Sequence, residues 1–161
     1  MLAEVWAKGL YHRIVSVFVT DETGRLLLQL RAAESKMFPN CWDPAAGGHV
    51  DLGSSYDQAA HDELVEEIGL DIDVANLQVL GTFRANETLD DGRIINQFER
   101  VYLAKTPPGA GLKAEPSEVD ALRWFTPSEL QKEIATYPER CTPGLLEGLR
   151  RYFPDFYQEV P

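Results

Sequence analysis

Gly47-Gly48-His49-Val50-Asp51-Leu52-Gly53-Ser54 leads through Ser55 to Glu63-Leu64-Val65-Glu66-Glu67-Ile68-Gly69-Leu70, and the reading of this stretch decides the fold. A glycine-rich loop feeds a helix that ends in packed carboxylates. Glu63, Glu66 and Glu67 fall at i, i+3 and i+4, which places all three on one helical face. Unpartnered like charges at that spacing cost a few tenths of a kcal/mol per pair. Glu66 and Glu67 also occupy the last turn, ahead of Gly69 as the C-terminal stop. There the helix dipole disfavours each carboxylate by roughly 0.3–1 kcal/mol. A divalent cation held by those oxygens removes the conflict, and hard ions such as Mg²⁺ prefer carboxylate, water and phosphate oxygens. A solvated acidic face is the plainer alternative. Against it, Ala60, Leu64 and Ile68 form a separate apolar stripe at i, i+4 and i+8, so the core side and the acid side lie on neighbouring arcs.

The chain has 161 residues, enough for a sizeable core, and a single domain over 1–161 is expected. Apolar residues at 44% and charged residues at 25% suit a soluble globular protein. No apolar run approaches the ~18 residues of a membrane span. Met1 to Lys8 shows neither a basic-then-apolar pattern nor a small-residue cleavage site, so a cytoplasmic location is expected. Cys41 and Cys141, far apart in sequence and outside any ligand spacing, read as reduced thiols. The net charge of −11 argues against nucleic acid and anionic membrane as partners, since both need a basic footprint. An anionic substrate must then be drawn in by metal ions and local Arg or Lys side chains.

Around the central stretch, His12 to Thr20 alternates with β-branched and aromatic residues and reads as a strand. Asp21 to Gly24 is a turn, and Arg25 to Arg31 returns as the second strand of a hairpin. Ala32 to Cys41 is a loop, and Trp42 to Ala46 is a short strand entering Gly47-Gly48. Ser54 or Ser55 caps the carboxylate helix. Val74 to Arg84 and Arg93 to Lys105 are two longer strands joined by the turn-rich Asn86 to Gly92, and Glu118 to Phe125 is another strand. Thr126-Pro127-Ser128-Glu129 is a capping box opening a helix to about Ile134, and Thr142-Pro143 opens a last helix to about Tyr152. This order is an α/β (α+β) arrangement, with helices packed on a mixed sheet.

The loop and helix resemble the signature of the Nudix hydrolases, G-x5-E-x7-R-E-U-x-E-E-x-G-U with U aliphatic. Seven of its nine specified positions match: Gly48, Glu63, Leu64, Glu66, Glu67, Gly69 and Leu70. The resemblance implies the Nudix fold, a mixed β-sheet sandwiched between helices, over nearly the whole chain. Ser54 stands where the first Glu of the signature is expected and Asp62 where the Arg is expected. The first usually supports metal binding and the second holds the Glu network; Asp62 or Asp51 are the substitutes at hand. A narrower resemblance joins Gly9 to Arg13, Ser16 to Phe18, Leu26 to Arg31 and Phe38 to Trp42 to the N-terminal half of isopentenyl-diphosphate isomerase, itself of Nudix fold. In that family the acid–base Cys lies five residues after this Trp, where this chain has Gly47. His49 matches the His that follows that Cys, and Gln97 falls where a second essential Glu is found. Without a thiol and that Glu, proton shuttling at a C=C bond lacks its donor and acceptor. The chain is therefore similar to the isomerase-like branch of Nudix hydrolases.

The resemblance implies Mg²⁺-dependent attack of water on phosphorus in a nucleoside diphosphate linked to another group, with Mn²⁺ as a substitute ion; the alternatives are an isopentenyl-diphosphate isomerase with a different acid–base pair, or a non-catalytic nucleotide-binding module, for which Ser54 and Asp62 are the motive. It implies Glu63 and Glu67 as metal ligands with the Gly48 carbonyl as a third, and Glu66 as a ligand of a second ion. Glu66, Glu67 and Glu99 are the candidates for general base. Arg31, Arg13 and His49 are candidates for phosphate contacts, against surface ion pairs for the arginines and a loop hydrogen bond for the histidine. Trp42, Phe83 and Trp124 read as core rather than a base-stacking platform. The expected partner is a small-molecule diphosphate. Family members are often dimers, and the sequence leaves a homodimer open.

Overall fold

A long central strand with neighbours on both sides organises the molecule. The structure is a computed structural model and describes residues 2–89 and 91–159. Strand β1 (Tyr11–Thr20) pairs along its whole length in parallel with β6 (Ile94–Lys105). Its other edge is shared. Ile14 to Val17 pair antiparallel with β4 (Ala46–His49), and Val19 and Thr20 pair with the start of β2 (Leu26–Arg31). β5 (Gln78–Thr88) lies outside β6, while β3 (Trp42–Pro44) and β7 (Val119–Phe125) both pair with β2.

Helices cover both faces, so the sheet is sandwiched as expected. On one face α2 (Tyr56–Ile68) buries Ala60, Leu64 and Ile68 against Val15, Val17 and Tyr102. On the other, α3 (Pro127–Thr136) and α4 (Pro143–Tyr152) pack Leu130, Ile134, Leu145 and Leu149 on Phe18, Leu26, Leu28 and Phe125. Trp42 and Phe83 belong to this second core, and Trp124 packs against the first.

The punctuation of α2 was legible in advance. Ser55 Oγ accepts from the Gln58 N–H at 3.1 Å, and Gly69 ends the helix at φ 67° while the Leu70 N–H reaches back to the Leu64 carbonyl. Thr126 and Glu129 form the expected capping box. Three elements differ from expectation. The Gly47-Gly48 stretch read as a loop is strand β4, held in extended form by pairing with Ile14 to Val17 of β1, and the short strand before it ends at Pro44. The strand foreseen from Val74 begins only at Gln78, because the Asp73 side chain accepts from the Ala75 N–H and closes a 3₁₀ turn, Val74–Asn76. It also runs on to Thr88, since each residue from Ala85 to Thr88 finds a partner in β6. An N-terminal helix, α1 (Leu2–Lys8), had no sequence signal strong enough to be read. Among the described residues no helix is long and apolar enough to cross a membrane.

Candidate active site

Register fixes what faces what. Ile14 pairs with both His49 and Glu99, and Glu99 with Phe83, so His49–Ile14–Glu99–Phe83 form one row across β4, β1, β6 and β5. Ser16 lies two residues along β1, beside Gly47, and His12 and Gln97 form the next row the other way. These rows are the floor of a cleft of about 890 Å³. Its walls come from α1 (Trp6), the 32–40 loop (Met37, Phe38), the start of α4 (Thr142, Gly144) and Glu67 of α2.

Two carboxylates are buried here. Glu67, 4% exposed, receives the Gly47 N–H at 2.9 Å and the Gln29 side-chain amide at 3.1 Å, both on Oε2. Oε1 accepts no hydrogen bond within the described residues. Glu99, 2% exposed, takes the Ser16 hydroxyl at 2.6 Å and the Gln97 amide at 3.4 Å. Burial lifts the Glu99 carboxyl to about 7, against the lowering effect of Ser16. Burial first, and then the charge of Glu63, raise Glu67. Glu63 is half-buried and is pushed up to about 7 by burial and then by Glu66. Its carboxylate lies directly over Gly48: a Cβ there would overlap Glu63 Oε1 and Cδ and stand 2.9 Å from Oε2. Only glycine leaves that space open.

The other expected residues are dispersed. Arg31 lines the cleft and pairs with Asp43 at 3.0 Å. His49 lines it too, stacked on His12 at 5.1 Å. Among the described residues the buried His49 Nε2 has no hydrogen-bond partner, and burial lowers the basicity of its ring. Glu66 is exposed and is not among the residues lining the cleft. Arg13 donates to the Asp51 carbonyl at 3.0 Å and lies over the Tyr56 ring, also outside the cleft. Asp62 faces outward, bonded to Gln58 and His61, and Asp51 is exposed, so neither stands in for the missing signature residues inside the cleft. The residue that holds Glu67 is Gln29.

Gln29, Ser16, Asp43, Thr142 and Trp6 are site residues that the sequence reading missed. Three of them left a trace. Ser16 and Gln29 are lone polar residues inside apolar strand runs, and Asp43 follows a buried Trp; a polar side chain in such a place needs a partner.

The family model of the NUDIX domain matches residues 10–144. The chain belongs to this family. It is 37% identical over 145 residues to an isopentenyl-diphosphate Delta-isomerase from Nocardia farcinica, covering 88% of this chain and 78% of the relative. It is 28% identical to a Nudix hydrolase from Deinococcus radiodurans, covering 88% and 78%. Among solved structures, DR0079 from Deinococcus radiodurans matches with a TM-score of 0.72 at 27% identity, covering 88% of this chain and 83% of that one. A MutT NUDIX hydrolase from Burkholderia pseudomallei shares the fold, with a TM-score of 0.70 at 22% identity over 88% and 98%. The protein is therefore a Nudix superfamily member of the isomerase-like branch.

The Nudix cleft suits a hard divalent ion. Glu67 and Gly48 line it, while Glu63 lies over Gly48 without being a lining residue; all three offer oxygens, and among the described residues no Lys or Arg pairs with either carboxylate. No three His, Cys, Asp or Glu side chains among the described residues gather closely enough to hold an ion alone.

Proposed function

We propose that this Nudix protein is a diphosphohydrolase that uses Mg²⁺, with Mn²⁺ as a substitute, to cleave a nucleoside diphosphate linked to another group by attack of water on phosphorus. The observation that carries this reading is the pair Glu63 and Glu67, two carboxylates withdrawn from water at a glycine strand and, among the described residues, paired to no Lys or Arg. Burying such charges unpaired is costly, and a bound cation offsets that cost. Glu63, Glu67 and the Gly48 carbonyl would hold the ion, and Glu66 would be a ligand for a second ion if one bound. The ion supplies neutralisation of diphosphate charge and of the charge that develops on the phosphoryl oxygens.

The chain's own groups do the rest. Glu99 is the base this reading favours. It lies on the cleft floor with a proton affinity near neutrality, and Ser16 fixes its orientation as it takes a proton from the attacking water. Gln29 and the Gly47 N–H hold Glu67 in one rotamer. Arg31 meets a phosphate oxygen. The unpartnered His49 Nε2 is a second polar contact for the substrate.

Relatives named isopentenyl-diphosphate Delta-isomerase supply the second reading. One feature weighs against it. A Cβ at Gly47 would stand 2.7 Å from the Val15 carbonyl oxygen, so the place where the isomerase family has its thiol is closed to any side chain without a backbone shift. A panel of nucleoside di- and triphosphates, nucleotide sugars and prenyl diphosphates, run with and without Mg²⁺, tests both. Cleavage that is lost in Glu67→Gln supports the hydrolase. Conversion of isopentenyl diphosphate to its dimethylallyl isomer without phosphate release overturns it, as does a blank panel with Mg²⁺ and Mn²⁺.

A further inference from the structure

Asp43 has none of the roles assigned so far, yet three parts of the chain meet on it. Its Oδ2 accepts from Arg31 Nη1 at 3.0 Å and its Oδ1 from the Thr142 hydroxyl. Arg31 closes β2, and its Nε donates to the Met37 carbonyl at 3.0 Å in the 32–40 loop. With Nε and Nη1 held from two directions the guanidinium plane is fixed, and Nη2 makes no hydrogen bond within the described residues. Thr142 is the N-cap of α4, where its Oγ1 accepts from the Leu145 N–H at 3.1 Å. Two residues on, a Cβ at Gly144 would stand 3.8 Å from both oxygens of Glu99. Arg31, Asp43, Thr142, Gly144 and Glu99 all line the one cleft.

We propose that Asp43 is a positioning residue: by gripping Arg31 and the cap of α4 together, it aims the free Nη2 edge of the guanidinium at an anionic group bound beside Glu99. This rests on the reading that the cleft takes a diphosphate. A pair kept only for stability fits the site poorly. The side chains of Arg31 and Asp43 are 24% and 21% exposed, so both are largely desolvated, and replacing such a pair by apolar groups is often neutral or stabilising. The burial of Asp43 itself raises its proton affinity against the pull of Arg31. What the arrangement does supply is direction. A planar fork with five donors can be held on two sides and still present a third, which a lysine ammonium on a flexible stem cannot reproduce.

The test is calorimetric binding of inorganic pyrophosphate in Mg²⁺ to the full chain, for wild type, Asp43→Asn, Arg31→Gln and the double variant, with thermal melting to follow the fold. Asp43→Asn is expected to weaken binding about 5–10-fold, and Arg31→Gln more. The double variant is expected to bind no more weakly than Arg31→Gln alone, because Asp43 acts through Arg31. Wild-type affinity in Asp43→Asn, or a loss that adds in full to that of Arg31→Gln, overturns the inference. If Asp43→Asn fails to fold, Arg31→Lys carries the test. It keeps the charge and loses the fork, so an affinity close to that of Arg31→Gln is expected and wild-type affinity overturns the proposal. Wild type that binds no pyrophosphate defeats the parent reading and the inference with it, whereas binding that ignores Asp43 defeats the inference alone.

Discussion

Replacing Gly48 by alanine separates the stability of this fold from its chemistry. The new methyl would overlap Glu63 Oε1 and Cδ, and even the farthest carboxylate atom, Oε2, would stand only 2.9 Å away. Comfortable contact needs about 3.5 Å, so the carboxylate must retreat by roughly 1 Å or more. The obstructing atoms are the free end of a flexible side chain, not backbone, so the fold can yield. The global cost is expected to stay within about 1 kcal/mol, and relief of a half-buried unpaired charge works in the protein's favour. The site cannot yield in the same way, because misplacing a reacting group by about 1 Å costs on the order of a hundredfold in rate. Thermal melting with EDTA should therefore show Gly48→Ala close to wild type. The upward shift in melting temperature that Mg²⁺ gives wild type should be largely absent, and turnover of any substrate found in the panel should fall about a hundredfold. A variant that keeps both the Mg²⁺ shift and the turnover would refute the assignment of Glu63 as a ligand, because no ion could follow a displaced carboxylate at unchanged affinity.

Glu67→Gln should abolish turnover yet stabilise the metal-free protein by about 1–3 kcal/mol at pH 8. Glu63, Glu67 and Glu99 bind protons more tightly folded than unfolded, so their contribution is complete below the ordinary Glu value of about 4.3 and is lost as pH rises through 7 and beyond. Urea denaturation in EDTA from pH 5 to 8 should show wild type losing stability and Glu67→Gln losing less; parallel curves would contradict this. Ser16→Ala removes the hydroxyl that holds the Glu99 carboxyl down, so the rise of kcat/KM with pH should move to a pH above that of wild type, and an unmoved profile would dismiss Glu99 as the base. Cys141 is buried with its thiol pushed up to about 12, so iodoacetamide at pH 8 should leave it unlabelled in the native protein and modify it in urea; rapid native labelling would contradict the packing.

How far the fold could be read depended on whether the signal was local. The α2 caps, the Thr126 capping box and the strand character of β1 and β6 are set by residues within a few positions of one another and emerged in the structure as expected, although β1 buries Val15 to Val19 without alternation because helices cover both faces of the sheet. The start of β5 did not, because a single Asp73 side chain outcompeted the alternating pattern by closing a turn on the Ala75 N–H. The far end of β5 was missed for the opposite reason. Asn86 and Glu87 have weak strand propensity and are held by pairing to β6. Cys41 and Cys141, distant in sequence, are both at β3, through the bridge of Cys141 to Trp42, and both are free thiols.

The candidate site shows the same division more sharply. Glu63, Glu67 and Glu99 could be named from helical spacing, the Gly47-Gly48 pair and strand position, but what holds Glu67 and Glu99 could not, since those partners come from other strands. Gln29 lies 38 residues from Glu67, and Ser16 lies 83 residues from Glu99. Each is visible in sequence only as a polar interruption of an apolar strand run, and an interruption has no address until the sheet register is known. Helical spacing also set Glu66 beside its neighbours, yet the structure separates the three by depth: Glu67 is buried, Glu63 is half-buried and Glu66 is exposed. That gradient follows from where α2 leans on the sheet, with Leu64 and Ile68 at the centre of contact and Glu67 drawn in beside them. Depth decides chemistry, because a withdrawn carboxylate gains far more from a cation than one already solvated. Glu63 and Glu67 should therefore dominate ion affinity while Glu66→Gln weakens it least, an order that sequence spacing alone gives no reason to expect.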